Sequence, residues 1–267
     1  MDKICEELYK IGIVPVIAID DAKDAEPLAK ALINGGHPAA EITFRTAAAE
    51  DAIRIISEKF PQMIVGAGTV LNKDQADRAK KAGAKFIVSP GFNRSNVEYI
   101  MSLGVPVVPG CATPGEVEQA IELGLDCVKF FPAEQNGGIA MIGAMAAPYG
   151  NMHFMPTGGI NLSNINDYLS FDKVFCCGGS WMVKKDLISA GKFDEIEKMT
   201  RAAVKAMLRF TVEAKDGHLE ATCKNLDRAV YHLKRQGASF DESSFKYDEK
   251  GKLIAAALAD GTHLVKK

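Results

Sequence analysis

Several features that would indicate particular classes of protein are missing from this 267-residue sequence. No run approaches the roughly 18 consecutive apolar residues of a membrane-spanning helix, and the first residues lack the apolar segment of a signal peptide. The net charge is only −2, and the lysines and arginines are spread along the chain. This argues against binding to nucleic acids or to anionic membranes. We therefore expect a cytoplasmic protein whose partners are small molecules or other copies of itself.

The cysteines include no Cys-x-x-Cys pair, so the sequence has no short motif for zinc binding or thiol redox chemistry. Most of them lie in apolar, strand-like runs, where we expect reduced core residues and neither disulfides nor metal ligands. They are Cys5, Cys111, Cys127, Cys176, Cys177 and Cys223. With 47% hydrophobic and 25% charged residues, the composition is that of an ordinary globular chain, large enough for one barrel or two domains.

Short apolar runs alternate with segments of helical periodicity through the first two thirds of the chain. Eight such runs are present, at residues 14–19, 40–44, 64–68, 86–89, 105–108, 127–131, 153–156 and 174–177. The first crossover lacks the Gly-x-Gly-x-x-Gly motif of a dinucleotide-binding sheet. The pattern therefore predicts an α/β fold of the (β/α)8 TIM barrel type.

Barrel enzymes carry their active sites at the carboxyl ends of the strands, so the residues around each strand end are candidates for a site. These candidates are Glu41, Arg45, Thr69, Pro90, Gly110, Lys129, Phe131, Thr157, Gly158, Gly159, Gly178, Gly179 and Ser180. The glycine pairs after the seventh and eighth runs either form tight turns only or let backbone N–H groups approach a phosphate. Because both pairs stand at neighbouring strand ends, we favour a phosphate site and a phosphorylated substrate.

Lys129 is the most informative candidate because the run that contains it otherwise reads as a buried strand. Alternation places Lys129 on the inward face, and Pro132 ends the strand because it cannot donate to a ladder. A strand lysine often protects a sheet edge or extends to solvent. If buried, it can instead attack a carbonyl and form a Schiff base. This requires a neutral amine, and because the ordinary pKa of lysine is ~10.4, holding the amine neutral at pH 7 costs about 4.6 kcal/mol.

Schiff-base chemistry also needs a group that carries protons, and Glu41 at the end of the second run is suited to this. If Glu41 remained permanently paired with Lys129, the lysine would stay charged and the site would be inactive. Arg45 either binds a substrate carboxylate through two hydrogen bonds or is an ordinary surface arginine. Together these residues indicate metal-free aldol cleavage.

Ordered motifs along residues 1–208 resemble those of the 2-keto-3-deoxy-6-phosphogluconate aldolase family, which overlaps with 4-hydroxy-2-oxoglutarate aldolase. They are Val-Pro-Val-Ile (14–17), Glu-Ile-Thr-Phe-Arg-Thr (41–46), Val-Gly-Ala-Gly-Thr-Val-Leu (65–71), Val-Ser-Pro-Gly (88–91), Val-Pro-Gly (108–110), Val-Lys-Phe-Phe-Pro-Ala-Glu (128–134), Pro-Thr-Gly-Gly-Ile (156–160) and Gly-Gly-Ser-Trp (178–181). The resemblance implies a class I aldolase without metal or cofactor. It also implies a homotrimer that acts on a small 2-keto-4-hydroxy acid and releases pyruvate.

The same resemblance implies a role for each candidate residue. Lys129 would form the Schiff base and Glu41 would be the general acid and base. The pyruvate half would be bound by Arg45, Thr69 and Phe131 and shaped by Pro90. The distal phosphate would be held by Thr157, Gly158, Gly159, Gly179 and Ser180.

Residues 209–267 lie beyond this resemblance and predict a small α+β extension, separate from a barrel of residues 1–208. The pattern indicates a strand at 218–223, a helix capped by Asn225 and stopped at Gly237, and strands at 253–259 and 263–265. Because so short a segment makes a marginal core, we expect it to dock on the barrel or on another copy.

The extension resembles one half-module of the glyoxalase-like vicinal oxygen chelate proteins. Such halves pair to build a metal site, so His218 and His263 are possible ligands. A clear third ligand is missing, and we favour a packing role and no metal.

Two other functions fit part of the pattern. The barrel could be a phosphate-binding isomerase, epimerase or decarboxylase in which Lys129 acts only electrostatically, and pyruvate with borohydride would then leave no adduct. It could also be a non-catalytic sugar-acid sensor, which would turn over no 2-keto-4-hydroxy acid. The sequence does not distinguish a gluconate-derived substrate from its galactonate epimer or from 4-hydroxy-2-oxoglutarate, because the stereochemistry at C4 is read by local geometry.

Overall fold

The computed structural model of the protein describes residues 1–215 and 218–267. Its central feature is a ring of parallel strands: β1 Ile13–Ile17, β2 Ala39–Thr43, β3 Ile64–Gly68, β4 Ile87–Val88, β5 Val107–Val108, β6 Cys127–Phe130, β7 His153–Pro156 and β8 Cys177–Gly179. Six strands pair in the order β5-β4-β3-β2-β1-β8, and β6 pairs with β7. Single bridges from Gly110 to Lys129 and from Thr157 to Gly178 join the two sheets at both seams. The predicted (β/α)8 barrel is therefore confirmed.

Helices surround the barrel strands, with α1 before β1 and the others in the segments that follow the strands. They are α1 Lys3–Ile11, α2 Ala25–Asn34, α3 Ala49–Lys59, α4 Lys73–Lys81, α5 Arg94–Ser102, α6 Pro114–Glu122, α7 Gly138–Ala146, α8 Ile165–Leu169, α9 Lys185–Ser189 and α10 Phe193–Leu208. Helix α6 illustrates the local signals, because Thr113 and Glu116 form a capping box and Pro114 stands at its first turn. In the described part of the chain, every helix is too short or too polar to cross a membrane.

The eighth strand differs from the prediction. It runs from Cys177 to Gly179, and Val174, its predicted start, makes only a single bridge to Phe154. Gly178 and Gly179 therefore lie within the strand, so the prediction of a glycine turn after it was wrong. These positions have no room for a side chain, because neighbouring residues lie close to them. A Cβ on Gly178 would lie 2.3 Å from Thr157 Oγ1.

The extension forms a sheet of its own. Its strands are β9 Thr211–Lys215, β10 His218–Cys223, β11 Phe240–Tyr247, β12 Leu253–Leu258 and β13 His263–Lys266, and its helix is α11 Leu226–Arg235. The strand order is β11-β12-β13-β10-β9. The predicted strands β10, β12 and β13 are present, and Asn225 caps α11 by accepting a hydrogen bond of 3.0 Å from the Arg228 N–H. Strands β9 and β11 were not predicted. The residues of β9 are exposed throughout, and in β11 half-buried and exposed residues alternate only weakly.

Helix α11 docks the extension on the amino-terminal end of the barrel. Leu226 and Val230 are buried, and Leu233 packs against the same core as the barrel residues. The apolar face of α11 is thus covered within the chain and needs no second copy. The division into domains between residues 208 and 209 stays a prediction.

Two buried polar residues on α11 strengthen this contact. The Arg228 guanidinium donates to the Tyr9 carbonyl at 2.9 and 3.1 Å and to the Phe175 carbonyl at 3.3 Å. The His232 Nε2 atom lies 3.0 Å from the Ile11 carbonyl oxygen. Sequence periodicity misses both, because arginine and histidine on a helix ordinarily face solvent.

Candidate active site

Lys129 and Glu41 meet inside the barrel. Strands β2 and β6 lie on opposite sides of the ring, so their inward side chains approach each other across its axis. The Lys129 side chain is 7% exposed and the Glu41 side chain is fully buried. Their Nζ and Oε1 atoms are 3.4 Å apart. The structure therefore brings together the two groups for which catalytic roles were predicted.

This contact is loose for a buried ion pair. A charged N–H···O bond usually measures about 2.7–2.9 Å, and the Lys129–Glu41 contact is longer at 3.4 Å. The second oxygen of Glu41, Oε2, is buried without a hydrogen-bond partner among the described residues. Since an unpartnered buried oxygen is costly, Glu41 retains a strong tendency to accept a hydrogen bond from a group that enters the barrel.

Gly68 makes room for the Glu41 carboxylate. A Cβ atom at Gly68 would lie 2.1 Å from Glu41 Oε1 and 2.7 Å from its Cγ. Sequence reasoning missed this role, although a glycine inside a strand often marks the close approach of another group. The alternating glycines Gly66 and Gly68 in β3 carried that signal.

Phe131 stands beside Lys129 at the mouth of the barrel. The Lys129 Nζ atom is 5.2 Å from the centroid of the Phe131 ring, within the range of a cation–π contact. Phe131 as a whole is 36% exposed. Phe131 can therefore contact both Lys129 and a molecule that enters from solvent.

Three further candidates stand at the carboxyl ends of β2, β3 and β4. Arg45 is exposed, and its Nε atom donates to Thr43 Oγ1 at 3.2 Å. Thr69 follows β3 with a φ of 56°, a left-handed conformation that is uncommon and strained for threonine. Pro90 is half-buried and lies two residues after the end of β4. All three lie at the same end of the barrel as Lys129, and their contacts with substrate stay predictions.

A turn at Gly158 and Gly159 follows β7, as predicted. Their φ angles of 101° and 80° are conformations that favour glycine. The Gly159 carbonyl oxygen accepts hydrogen bonds of 3.1 Å from the side-chain amides of both Asn161 and Asn164. These two hydrogen bonds restrain the turn at its Gly159 carbonyl.

Thr157, Gly179 and Ser180 complete the set of predicted phosphate ligands. Thr157 is buried at the end of β7, and Gly179 is buried at the end of β8. Ser180 follows it and is exposed. The bridge between Thr157 and Gly178 keeps the ends of the two strands adjacent, so these residues and the glycine turn share one rim.

Glu134 and Tyr168 lie beneath the glycine turn and were not predicted. A Cβ on Gly159 would lie 2.3 Å from Glu134 Cγ, and the Glu134 N–H donates to the Gly158 carbonyl at 3.2 Å. The Tyr168 hydroxyl donates to the Glu134 carboxylate. Burial, and then this hydrogen bond, raise the pKa of Tyr168. The hydroxyl therefore stays protonated and fixes Glu134 in place.

All six cysteines are buried free thiols, as expected, and burial raises the pKa of Cys223 to about 11 and that of Cys111 to about 12. Over residues 1–215 and 218–267, no group of three or more His, Cys, Asp and Glu side chains is arranged to hold a metal ion. The His218 and His263 rings do pack together, with centroids 4.1 Å apart.

Comparison with known proteins gives a consistent family. The sequence profile described as KDPG and KHG aldolase matches residues 4–199. A 2-dehydro-3-deoxy-phosphogluconate aldolase of Treponema pallidum is 46% identical over 75% of this chain and 96% of its own length. Among solved structures, a KDPG aldolase of Legionella pneumophila that captured pyruvate as a covalent carbinolamine intermediate is 36% identical, with a TM-score of 0.72 over 74% of this chain and 97% of that one. The 2-keto-3-deoxy-6-phosphogluconate aldolase of Zymomonas mobilis ZM4, with 3-phosphoglycerate, is 37% identical, with a TM-score of 0.65 over the same shares of the two chains. The chain belongs to the KDPG and KHG aldolase family.

Proposed function

We propose that this chain is a class I aldolase that releases pyruvate from 2-keto-4-hydroxy acids. It would cleave 2-keto-3-deoxy-6-phosphogluconate to pyruvate and glyceraldehyde 3-phosphate, and 4-hydroxy-2-oxoglutarate to pyruvate and glyoxylate. The observation that carries the proposal is the buried contact of 3.4 Å between Lys129 Nζ and Glu41 Oε1. The covalent carbinolamine of pyruvate in the Legionella relative supports it.

The first half of the reaction uses Lys129 as a nucleophile. When Glu41 takes a proton from the Lys129 ammonium, the neutral amine attacks the C2 carbonyl of the substrate and forms a carbinolamine. Glu41 returns a proton to the hydroxyl, which leaves as water, and a protonated Schiff base remains. Because Oε2 of Glu41 has no partner among the described residues, the carboxyl group can reach the substrate without breaking another protein contact.

The second half cleaves the C3–C4 bond. Glu41 accepts the proton of the C4 hydroxyl, the bond electrons move into the positively charged Schiff base, and the aldehyde departs. The resulting enamine takes this proton from Glu41 at C3, and water then hydrolyses the protonated Schiff base. This releases pyruvate and regenerates the Lys129 ammonium and the Glu41 carboxylate with which the cycle began.

The other candidates would orient the two ends of the substrate. Arg45 would bind the C1 carboxylate, with Thr69, Phe131 and Pro90 around the pyruvate half. The turn at Gly158 and Gly159 would direct backbone N–H groups at a phosphate, together with Thr157, Gly179 and Ser180. The 3-phosphoglycerate in the Zymomonas relative supports a phosphorylated substrate.

Two broader properties are proposals as well. A homotrimer rests on the resemblance to the family, and a cytoplasmic location rests on the composition and on the six free thiols. Size-exclusion chromatography with light scattering would test the first, and fractionation of cells that produce the protein would test the second.

Trapping with borohydride tests the assignment of Lys129. Incubation with pyruvate and borohydride should inactivate the protein and add a three-carbon acid to the peptide that contains Lys129, as measured by mass spectrometry. Lys129→Ala and Lys129→Arg should show neither adduct nor turnover, since a guanidinium stays charged and forms no imine. Lys205→Ala, an exposed change on α10, is the matched control. An adduct on another lysine, or turnover without any adduct, would point to a different mechanism such as that of an isomerase or decarboxylase.

A further inference from the structure

The carboxyl end of β2 carries Glu41, Thr43 and Arg45 at alternate positions. Glu41 and Thr43 pair in register with Gly66 and Gly68 of β3. Alternate residues of a strand face the same side of the sheet, so Thr43 shares the interior face with Glu41 and lies about 6.6 Å nearer the mouth of the barrel. Thr43 is completely buried there. Along the strand, its hydroxyl therefore lies between the proton carrier and Arg45.

Two hydrogen bonds fix the Thr43 hydroxyl. It donates to the Ile17 carbonyl oxygen at the end of β1 at 2.8 Å, and it accepts from Arg45 Nε at 3.2 Å. A threonine hydroxyl has one proton to donate and lone pairs with which to accept. Because the Ile17 carbonyl takes the proton, a lone pair remains for the Arg45 N–H group.

This contact decides where the Arg45 guanidinium lies. Arg45 is exposed, and a long exposed side chain ordinarily samples many rotamers. The hydrogen bond to a buried hydroxyl on the interior face holds its Nε atom at the mouth of the barrel. Within residues 1–215 and 218–267, Nε is the one Arg45 nitrogen for which the structure shows a hydrogen bond, and Arg45 forms no ion pair there. Both Nη groups can therefore bind an anion that enters the barrel.

We propose that Thr43 is a positioning residue for the aldol reaction and acts through Arg45. This inference rests on the proposed function, in which Arg45 binds the C1 carboxylate of the substrate. With Nε held by Thr43, the two Nη groups meet the two carboxylate oxygens through parallel hydrogen bonds. Because C1 adjoins the carbonyl carbon C2, the Thr43 hydroxyl helps to place the substrate within reach of Lys129.

Replacing Thr43 with valine removes the hydroxyl and keeps the branched shape of the side chain. KM should rise about 5- to 20-fold for both 2-keto-3-deoxy-6-phosphogluconate and 4-hydroxy-2-oxoglutarate, since both carry the C1 carboxylate. The pyruvate concentration for half-maximal inactivation with borohydride should rise by a similar factor. Because the carboxylate keeps its charge and its contacts throughout the reaction, kcat should change by less than about threefold.

Two further threonine variants serve as controls. Thr43→Ser restores the hydroxyl and should return KM to within about twofold of the wild type. Thr46 also donates to a carbonyl oxygen after β1, that of Ile19, but makes no hydrogen bond with Arg45. Thr46→Val should therefore leave KM within about twofold of the wild type. If circular dichroism shows that Thr43→Val folds poorly, Thr43→Cys gives the same comparison, because a thiol is a weak acceptor.

A double-mutant cycle separates an effect through Arg45 from a general structural defect. Arg45→Met should raise KM more than Thr43→Val does, since it removes the whole guanidinium. In the Arg45→Met protein, adding Thr43→Val should raise KM by less than about twofold, because the partner of the hydroxyl is already gone. A structural defect would add its full factor in both backgrounds.

Three results would overturn the inference while the wild type cleaves its substrates and the proposed function stands. They are an unchanged KM in Thr43→Val, an equal rise of KM in Thr46→Val, and full additivity with Arg45→Met. A wild-type protein that shows neither turnover nor an adduct with pyruvate and borohydride would overturn the proposed function, and this inference with it.

Discussion

Replacing Gly68 with alanine should impair the enzyme although Gly68 takes no part in the chemistry. The added Cβ would lie 2.1 Å from Glu41 Oε1, whereas ordinary contact begins at 3.4 Å. Because the clash involves the carboxylate itself, Glu41 must move about 1.3 Å away from residue 68, which disturbs its position beside Lys129. A displacement of about 1 Å in a catalytic group can cost on the order of 10²-fold in rate, or about 2.7 kcal/mol. We expect kcat for retro-aldol cleavage to fall by about this factor.

The assay is pyruvate release, coupled to lactate dehydrogenase and followed by NADH absorbance. Glu41→Gln provides the reference for complete loss of the proton carrier and should lower kcat by roughly 10²- to 10⁴-fold. Gly143→Ala in α7, where a Cβ meets no atom within 4 Å, should leave kcat unchanged. Gly66→Ala would clash with the Phe86 ring at 2.4 Å and should lower stability more than kcat.

Circular dichroism must show that Gly68→Ala is folded before its rate is interpreted. A folded Gly68→Ala protein with the kcat of the wild type would refute the reasoning. It would mean either that the Glu41 carboxylate acts from another position or that a different group carries the proton.

Three further predictions concern the phosphate, the extension and acid. Gly159→Ala would place a Cβ 2.3 Å from Glu134 Cγ. It should raise KM for the phosphorylated substrate far more than KM for 4-hydroxy-2-oxoglutarate. Equal increases for both substrates would mean that the turn has a structural role and binds no phosphate. Arg228→Ala removes three hydrogen bonds to the carbonyl oxygens of Tyr9 and Phe175. It should lower the free energy of unfolding in urea by about 2–4 kcal/mol, while kcat stays within a few-fold. Truncation after residue 209 should also lower this free energy, and unchanged stability in either variant would contradict the docking of the extension on the barrel. Burial lowers the pKa of His37 to about 3 and that of His232 to about 4 in the folded protein. As the pH falls below about 6.5, these histidines therefore take up protons in the unfolded chain but stay neutral in the folded one. The free energy of unfolding should then be lower at pH 5 than at pH 7.5 by about 2 kcal/mol per histidine. Replacing both histidines with glutamine should remove most of this pH dependence, and a flat wild-type stability curve from pH 7.5 to 5 would rule out the explanation.

Much of the barrel and part of the proposed site could be predicted from the sequence. Strand and helix alternation and the cap of α11 at Asn225 depend on neighbours within a few residues, and both appear in the structure. The inward direction of Lys129 follows from the two-residue repeat of its strand. Such local rules hold because backbone sterics and hydrogen bonding act over short distances along the chain.

The tertiary structure alone decided which polar groups are buried and what they meet. The burial of Arg228 depends on carbonyl oxygens of Tyr9 and Phe175, which are far from it in sequence. The contact of Glu41 with Lys129 and the space at Gly68 likewise join separate strands around the barrel. The sequence around a charged residue is the same whether its side chain faces water or a buried partner. The free energy of burying the charge depends on that partner, so only the assembled barrel determines whether burial is favourable.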